Sequence, residues 1–364
     1  MKHIVIDARE LRTSSGRYVE RLLHYLQSID NDHRYSILLK PEDMDVWSES
    51  NTLFKKVSCP HKEFTFDEQI GFRKQIVSLK PDLIHFPFPQ QPILYSGNTI
   101  TTIHDLTTLR FKNPDKNPII FRIKQKIYAY VIKRAVQKAS EVITVSQFVK
   151  DDLVGFIGIS PGKIAVTYEA ADTITEAAEA MPDLVNKQFI MYIGRPTPHK
   201  NLKRLIDAFV LLKAQYPDLI LVLAGKKDAN YLRIEEQAQK RDVTNVLFTD
   251  FVSEGQLRWL YENCAAYVFP SLSEGFGLPG LEAMIHGAPV VSSNATCFPE
   301  IYSDAAHYFD PFDTHAMADA INDVLTSKNL RAELIQKGKD QAAKYSWQRT
   351  AEETLQVYNK VLGD

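Results

Sequence analysis

Short apolar, β-branched runs alternate with longer amphipathic segments along most of this chain, and the alternation starts afresh halfway. In the first half the strand candidates are His3–Ile6, Tyr35–Leu39, Leu83–Phe86, Thr99–Ile103, Val142–Val145 and Ile164–Thr167. Helical patterns such as Arg17–Ile29 and Asp67–Leu79 lie between them. The second half offers Phe189–Ile193, Leu219–Leu223, Val246–Phe248, Ala266–Phe269, Val290–Ser292 and His307–Phe309. Strands separated by helix-length segments pair in parallel, and a parallel sheet needs helices over both faces. The pattern therefore predicts an α/β chain of two doubly wound domains. Its 364 residues agree, since one hydrophobic core stops growing near roughly 250–300 residues.

The boundary is expected in Ala170–Lys187, a stretch rich in alanine and acid, containing Pro182 and without strand character. This gives a first domain over residues 1–170, a linker over 171–187 and a second domain over 188–345. Residues 346–364 read as a closing helix, with Ser346 as N-cap, that returns to the first domain.

Composition removes several classes. About 24% of residues are charged and 45% hydrophobic, which excludes collagenous, coiled-coil and mainly disordered chains. A formal net charge of −2 gives no global attraction for nucleic acid. The opening MKHIVIDARE lacks the apolar core and cleavage site of a signal peptide. No apolar run approaches the ~20 residues that cross a bilayer. Cys59, Cys264 and Cys297 lie far apart, so neither a disulfide scaffold nor a structural zinc is expected. Together these features predict a cytoplasmic protein.

Ligands of open α/β sheets bind beyond the carboxyl ends of the strands, so the loops there are where chemistry is sought. Ser271–Asn294 runs through a glycine-rich turn into a helix expected to start at Pro279. Gly275 and Gly277 allow close backbone approach, and a helix N-terminus favours phosphate or sugar oxygens. Glu274 and Glu282 could hold vicinal hydroxyls; equally, they are a solvated turn residue and a first-turn acid that suits the helix dipole. Arg195 and Lys200, in IGRPTPHKN, could clamp a diphosphate, though alone they read as two exposed cations. His104, in TTIHDLTTL, ends a first-domain strand, where histidine is more often a packed or hydrogen-bonded residue. Gly16 and Arg17 could make a helix-start anion or sugar contact. No strand is followed by G-x-G-x-x-G, and there is no G-x-x-x-x-G-K-[ST], which disfavours dinucleotide redox chemistry and P-loop phosphoryl transfer. Asp43-Met44-Asp45 matches a metal-holding D-x-D pattern but reads as a solvated turn or helix start.

These residues resemble those of the retaining glycosyltransferases of family 4, also called group 1, whose GT-B architecture has two Rossmann-like domains facing across a cleft. The likeness is densest over Tyr192–Asp310, in GRPTPHKN, PSLSEGFGLPGLEAM, HGAPVVSSN and CFPEIYSDAAHYFDP. Glu274 and Glu282 match the family's E-x7-E signature, while TIHDL resembles its first-domain histidine loop. The resemblance implies that Arg195 and Lys200 hold the donor diphosphate and Glu282 its ribose. Glu274, with the backbone of Gly275, Phe276, Gly277 and Leu278, would contact the donor sugar. His104 would close on that sugar, and Phe251 and Val252 would lie in the loop that meets the base. The opening departs from the family form, which has more glycine ahead of the residue matching Gly16.

The reaction implied is sugar transfer from a nucleotide diphosphate with retention, by front-face departure and attack, without a metal or other cofactor. The likeness is to bacterial surface-polysaccharide transferases, often mannosyl ones, which favours GDP-mannose over UDP-hexoses and a glycan or lipid-linked acceptor. A sugar-nucleotide epimerase or hydrolase of the same fold, a phosphorylase, or a silent binding subunit are the alternatives. Lys116–Ser140 adds a partner expectation, since it carries seven cations and no acid between interleaved apolar residues. That pattern fits a helix lying on an anionic membrane surface, and it equally fits a core-packed helix with solvated cations.

Overall fold

The computed structural model describes residues 1–13, 16–111 and 118–363. It divides into two units. The first takes residues up to Arg110, the segment running from the helix Pro118–Lys138 to Glu169, and the closing stretch from Ser346; the second holds Ala170–Tyr345.

The first unit contains a parallel sheet of seven strands: β1 (His3–Asp7), β2 (Arg34–Leu39), β3 (Phe54–Ser58), β4 (Leu83–Phe86), β5 (Thr99–Ile103), β6 (Glu141–Thr144) and β7 (Ile164–Val166). Their order is β3-β2-β1-β4-β5-β6-β7, and every pairing is parallel. All residues of β1, β5 and β6 are buried, as expected of strands covered on both faces. Strand β3 was not expected. Its sequence FKKVS places Lys55 and Lys56 on an edge with one neighbour, where cations are tolerated and a continuous apolar run is unnecessary.

The second unit repeats the scheme with β8 (Phe189–Ile193), β9 (Ile220–Ala224), β10 (Val246–Phe248), β11 (Ala266–Phe269), β12 (Val290–Ser293) and β13 (Ala306–Phe309). The six strands, all parallel, are ordered β10-β9-β8-β11-β12-β13. In each sheet the strand order reverses direction once, between β1 and β4 and between β8 and β11. Such a switch point opens a crevice at the carboxyl ends, because the two flanking crossovers leave in opposite directions.

The stretch Ala170–Lys187 carries a single 3-10 turn, Pro182–Leu184, and is fastened along the second unit. The Ile174 amide donates to His286 Nε2 at 3.1 Å, and the Glu179 amide to the Gly255 carbonyl at 3.0 Å. The last helix, Trp347–Leu362, is capped by the Ser346 side chain, which accepts from the Arg349 amide. Its buried face comprises Trp347, Ala351, Thr354, Val357 and Tyr358, spaced for one side of a helix, and packs on the first unit. There the Tyr358 phenol lies 2.6 Å from His85 Nδ1.

Two local expectations are corrected. Asp43 ends a short 3-10 helix and is buried, with its carboxylate 3.6 Å from Arg12; only Asp45 of the D-x-D match is solvated. The helix after Gly277 starts at Leu278, with Pro279 one position further in. The three cysteines are free and buried.

Candidate functional site

The loops after β8 and β11 flank the switch point of the second sheet. The first, Gly194–Asn201, leaves β8 through Gly194 at φ +145°, where an added Cβ would meet the Tyr192 hydroxyl at 2.7 Å. Pro198–Lys200 forms a 3-10 turn, and Asn201 then adopts the left-handed region before the helix Leu202–Leu212. Asparagine tolerates that conformation. Its buried amide also donates to the Pro270 carbonyl at 3.1 Å and the Pro311 carbonyl at 2.8 Å. The final residue of the GRPTPHKN motif is thus a fastener that holds Lys200 against the neighbouring loop.

That loop brings Glu274 to Lys200. Nζ donates to Oε1 at 2.5 Å, and both side chains are more than four-fifths buried. The sequence reading treated these residues separately and left Glu274 open between a ligand contact and a solvated turn; the structure makes the two one ion pair. The pair supplies the anion that a cation near a helix start requires. The Leu272 amide donates to the His199 carbonyl at 2.7 Å, and the Glu274 amide to Thr296 Oγ1 at 3.2 Å, so the backbone that carries Glu274 is pinned at two points. Arg195 is exposed, and its guanidinium makes no ion pair among the described residues.

Gly277 caps the helix Leu278–Ile285 at φ +94°. A Cβ there would lie 2.4 Å from the Tyr302 hydroxyl, which itself donates to the Gly277 carbonyl at 2.5 Å. No side chain could occupy this turn without moving Tyr302. Glu282 lies on the next turn of the helix, buried, with Oε2 accepting from the Tyr261 hydroxyl at 3.3 Å. Phe276 is buried against Tyr345, with ring centroids 5.5 Å apart, so it offers backbone rather than side chain. Phe251 is 82% exposed, and Val252 adjoins it in the loop beyond β10. The neighbouring Asp250 pairs with Gly225 after β9, and the Tyr231 hydroxyl donates to the Gly194 and Ala224 carbonyls, tying the loops after β8 and β9 together. Sequence reading missed Tyr231, Thr296 and Tyr302. Tyr231 and Thr296 lie outside every motif, Tyr302 lies within CFPEIYSDAAHYFDP without standing out there, and each acts by fixing a backbone turn.

In the first unit, Gly16 starts the helix Gly16–Ile29 so close to the preceding turn that a Cβ would lie 1.9 Å from the Leu11 carbonyl. Its amide donates to Thr13, which makes the glycine a packing requirement. His104 follows β5, its ring edge-on to Tyr18 at 4.8 Å and stacked on Phe88 at 5.1 Å. Nδ1 lies 3.0 Å from Glu169 Oε1, and Nε2 lies 2.9 Å from the Pro87 carbonyl. Burial alone would push the imidazole down. The hydrogen bond and charge of Glu169, with smaller contributions from the Pro87 carbonyl and Asp105, hold it above its ordinary value. Glu169, buried and 65 residues away in sequence, gave no signal of its own. His85 behaves oppositely: burial pushes it down to about 3, helped by the charge on His104.

The helix Pro118–Lys138 holds most of the basic stretch, while Lys116 lies outside the described residues. Its second half packs inward through Ile132, Ala135 and Val136. From its start as far as Tyr130, Ile119, Ile120, Ile123, Ile127 and Tyr130 itself are all more than half exposed, beside Lys124 and Lys126. No helix among the described residues is long and apolar enough to cross a membrane.

Two doubly wound units, with polar loops gathered at the carboxyl ends of parallel strands, define a GT-B protein. The family models agree: Glycosyltransferase Family 4 matches residues 15–174 and Glycosyl transferases group 1 matches residues 175–341. The chain belongs to the group 1, family 4 glycosyltransferases. It is 29% identical over 271 residues to O-antigen chain mannosyltransferase B of Escherichia coli, covering 71% of this chain and 69% of that one. It is 32% identical over 282 residues to the serotype-specific mannosyltransferase WbdA of Escherichia coli, covering 72% of this chain but 34% of that protein, about a third of its length. Sucrose-phosphate synthase from Thermosynechococcus elongatus shares the fold, with a TM-score of 0.79 at 17% identity and full coverage of both chains.

Proposed function

We propose that this glycosyltransferase moves a hexose, with mannose favoured, from a nucleotide diphosphate sugar to a glycan or lipid-linked acceptor in bacterial surface-polysaccharide assembly. Retention at the anomeric carbon and independence of metal belong to the proposal. So does GDP-mannose as donor in preference to UDP-hexoses; the two similar mannosyltransferases support that choice.

The observation that carries the reading is the Lys200–Glu274 pair at the switch point of the second sheet. An ammonium has three N–H donors, and one bond to Glu274 leaves two for phosphate oxygens. As the glycosidic bond breaks, negative charge grows on the leaving diphosphate. Lys200, Arg195 and the N-terminus of Leu278–Ile285 are fixed positive groups that meet it without reorganising. Glu274 orients Lys200 and accepts from sugar hydroxyls, along with the backbone of Gly275–Leu278. Glu282 accepts from the ribose diol, and the exposed Phe251 ring, with Val252, covers the base. A contact of His104 with the transferred sugar is part of the same proposal. The acceptor then attacks from the face the diphosphate leaves, and the departing phosphate oxygen takes its proton.

The acceptor is read as membrane-proximal. Ile119, Ile120, Ile123, Ile127 and Tyr130 beside Lys124 and Lys126 suit the surface of an anionic bilayer, each cation contributing about 1 kcal/mol there.

Thermal unfolding against a panel of nucleotide sugars tests the donor assignment. GDP-mannose at about 100 Kd should add about 2.7 kcal/mol to stability. A shift with UDP-hexoses and none with GDP-mannose would refute the mannosyl assignment. Nucleotide release that does not depend on acceptor would favour an epimerase or hydrolase instead.

A further inference from the structure

Both ring nitrogens of His104 point at groups that only accept hydrogen bonds. Nδ1 meets the Glu169 carboxylate at 3.0 Å and Nε2 meets a backbone carbonyl, that of Pro87, at 2.9 Å. A neutral imidazole has one N–H and one lone pair, so either tautomer would aim a lone pair at an oxygen. Turning the ring over would place carbons where the nitrogens are and lose both bonds. His85, in the same unit, shows the contrast. Its nitrogens lie 2.6 Å from the Tyr358 hydroxyl and 2.8 Å from the Thr102 hydroxyl, and a hydroxyl can donate or accept, so a neutral ring is satisfied there.

We propose that Glu169 is a positioning residue that, with the Pro87 carbonyl, holds His104 doubly protonated, so that the ring enters the reaction as a cation and donor and never as a base. The functional half of this statement rests on the glycosyltransferase reading; the protonation half does not. The titratable and charged groups facing the ring are Glu169 from beyond β7, Asp105 beside it, the Tyr18 phenol from the helix Gly16–Ile29, and His85 through Thr102. Two of these are carboxylates and none is a permanent cation.

The consequence is chemical. The Nε2–H can pass from the Pro87 carbonyl to an oxygen of the transferred sugar without any change in ring protonation. Proton abstraction from the acceptor must then fall to another group, as the front-face route requires. Loss of the ring proton would instead set a lone pair against Pro87 or Glu169 and release the ring from its place.

Ring-nitrogen NMR of the full chain, labelled with 15N-histidine, tests this in the absence of any substrate. The His104 signals are identified by their loss in His104→Gln. At neutral pH both nitrogens of His104 should be protonated, and the ring should titrate above 6.5. In Glu169→Gln the titration should fall by about one to three pH units, while His85 remains neutral throughout and reports that the core is intact. In turnover assays Glu169→Gln should lose kcat most at the alkaline end of the profile, with the KM for donor changed less than about threefold. Finding a neutral His104 at neutral pH, with the proton on Glu169 or elsewhere, would overturn the proposal, as would a titration unmoved in Glu169→Gln. Because the spectra need no substrate, a failed donor assignment would leave this result standing, and the reverse.

Discussion

Lys200 donates a 2.5 Å hydrogen bond to the Glu274 carboxylate across 74 residues of sequence, joining the loops that follow neighbouring strands β8 and β11. Lys200→Ala should therefore act twice. Losing a fixed positive group at the diphosphate should lower kcat/KM by roughly 10²-fold or more. Leaving a mostly buried carboxylate unpaired should also destabilise the fold. A double-mutant cycle with Glu274→Ala should show coupling of about 0.5–3 kcal/mol in urea unfolding. Arg195→Ala should match the kinetic loss with almost no loss of stability, since its guanidinium is exposed and unpaired among the described residues. Equal destabilisation by both variants would contradict the division.

Glu282 and Glu274 should separate in binding and turnover. Glu282→Ala should weaken nucleoside diphosphate affinity about tenfold or more, because a lost charged hydrogen bond is worth about 1.5–3 kcal/mol. Glu274→Ala should reduce kcat more than that affinity, because it loses the sugar contact as well as the partner that orients Lys200. Calorimetric titration beside initial-rate kinetics reads both, and matching losses would count against the assignment.

Gly277→Ala should cost about 1–3 kcal/mol through its φ of +94° alone. It should also displace Tyr302, whose hydroxyl lies 2.4 Å from the position of the new Cβ. Adding Tyr302→Phe removes the hydroxyl clash and should restore only part of the stability in denaturant titrations. Full recovery would show that the backbone is not strained there.

Stability should depend on pH through His104. Its folded value lies above 6.5, so the Glu169 pair stabilises the fold fully below the unfolded value and loses that contribution as pH rises through the folded one. The difference in unfolding free energy between the protein and Glu169→Gln should be largest near about pH 5.5–6 and shrink on the alkaline side. A difference that grows with pH would reverse the sign argued here.

Anionic vesicles should carry the protein upward in flotation at low salt, and binding should fall as salt rises. Reversing Lys124, Lys126 and Lys133 should abolish it, and so should Ile123→Ser with Ile127→Ser, whose side chains are 55% and 57% exposed. No binding at low salt would make the acceptor a soluble glycan.

Most strands were legible because a buried parallel strand must be a short apolar run, and helical patterns such as Arg17–Ile29, found as the helix Gly16–Ile29, separate them. Strand β3 was not, because its two lysines are permitted by an edge. In the second unit the motif residues were readable one by one, but their pairing was not: nothing local in IGRPTPHKN says that Lys200 will meet Glu274. The same holds for His104. A strand-end histidine reads more readily as packed than as functional, and only the fold brings Glu169 and the Pro87 carbonyl to its two nitrogens.

The helix Trp347–Leu362 belongs to the first unit although the whole of Ala170–Tyr345 comes before it. During synthesis at about 5–20 residues per second, the second unit takes roughly 9–35 s to emerge. Through that interval the first unit exists without its last helix: the surface awaiting Trp347, Val357 and Tyr358 is wet, and His85 has no phenol beside it. The nascent chain thus carries an unfinished first unit while its successor folds, and a ribosome stalled before residue 347 would expose that apolar surface to chaperones and proteases.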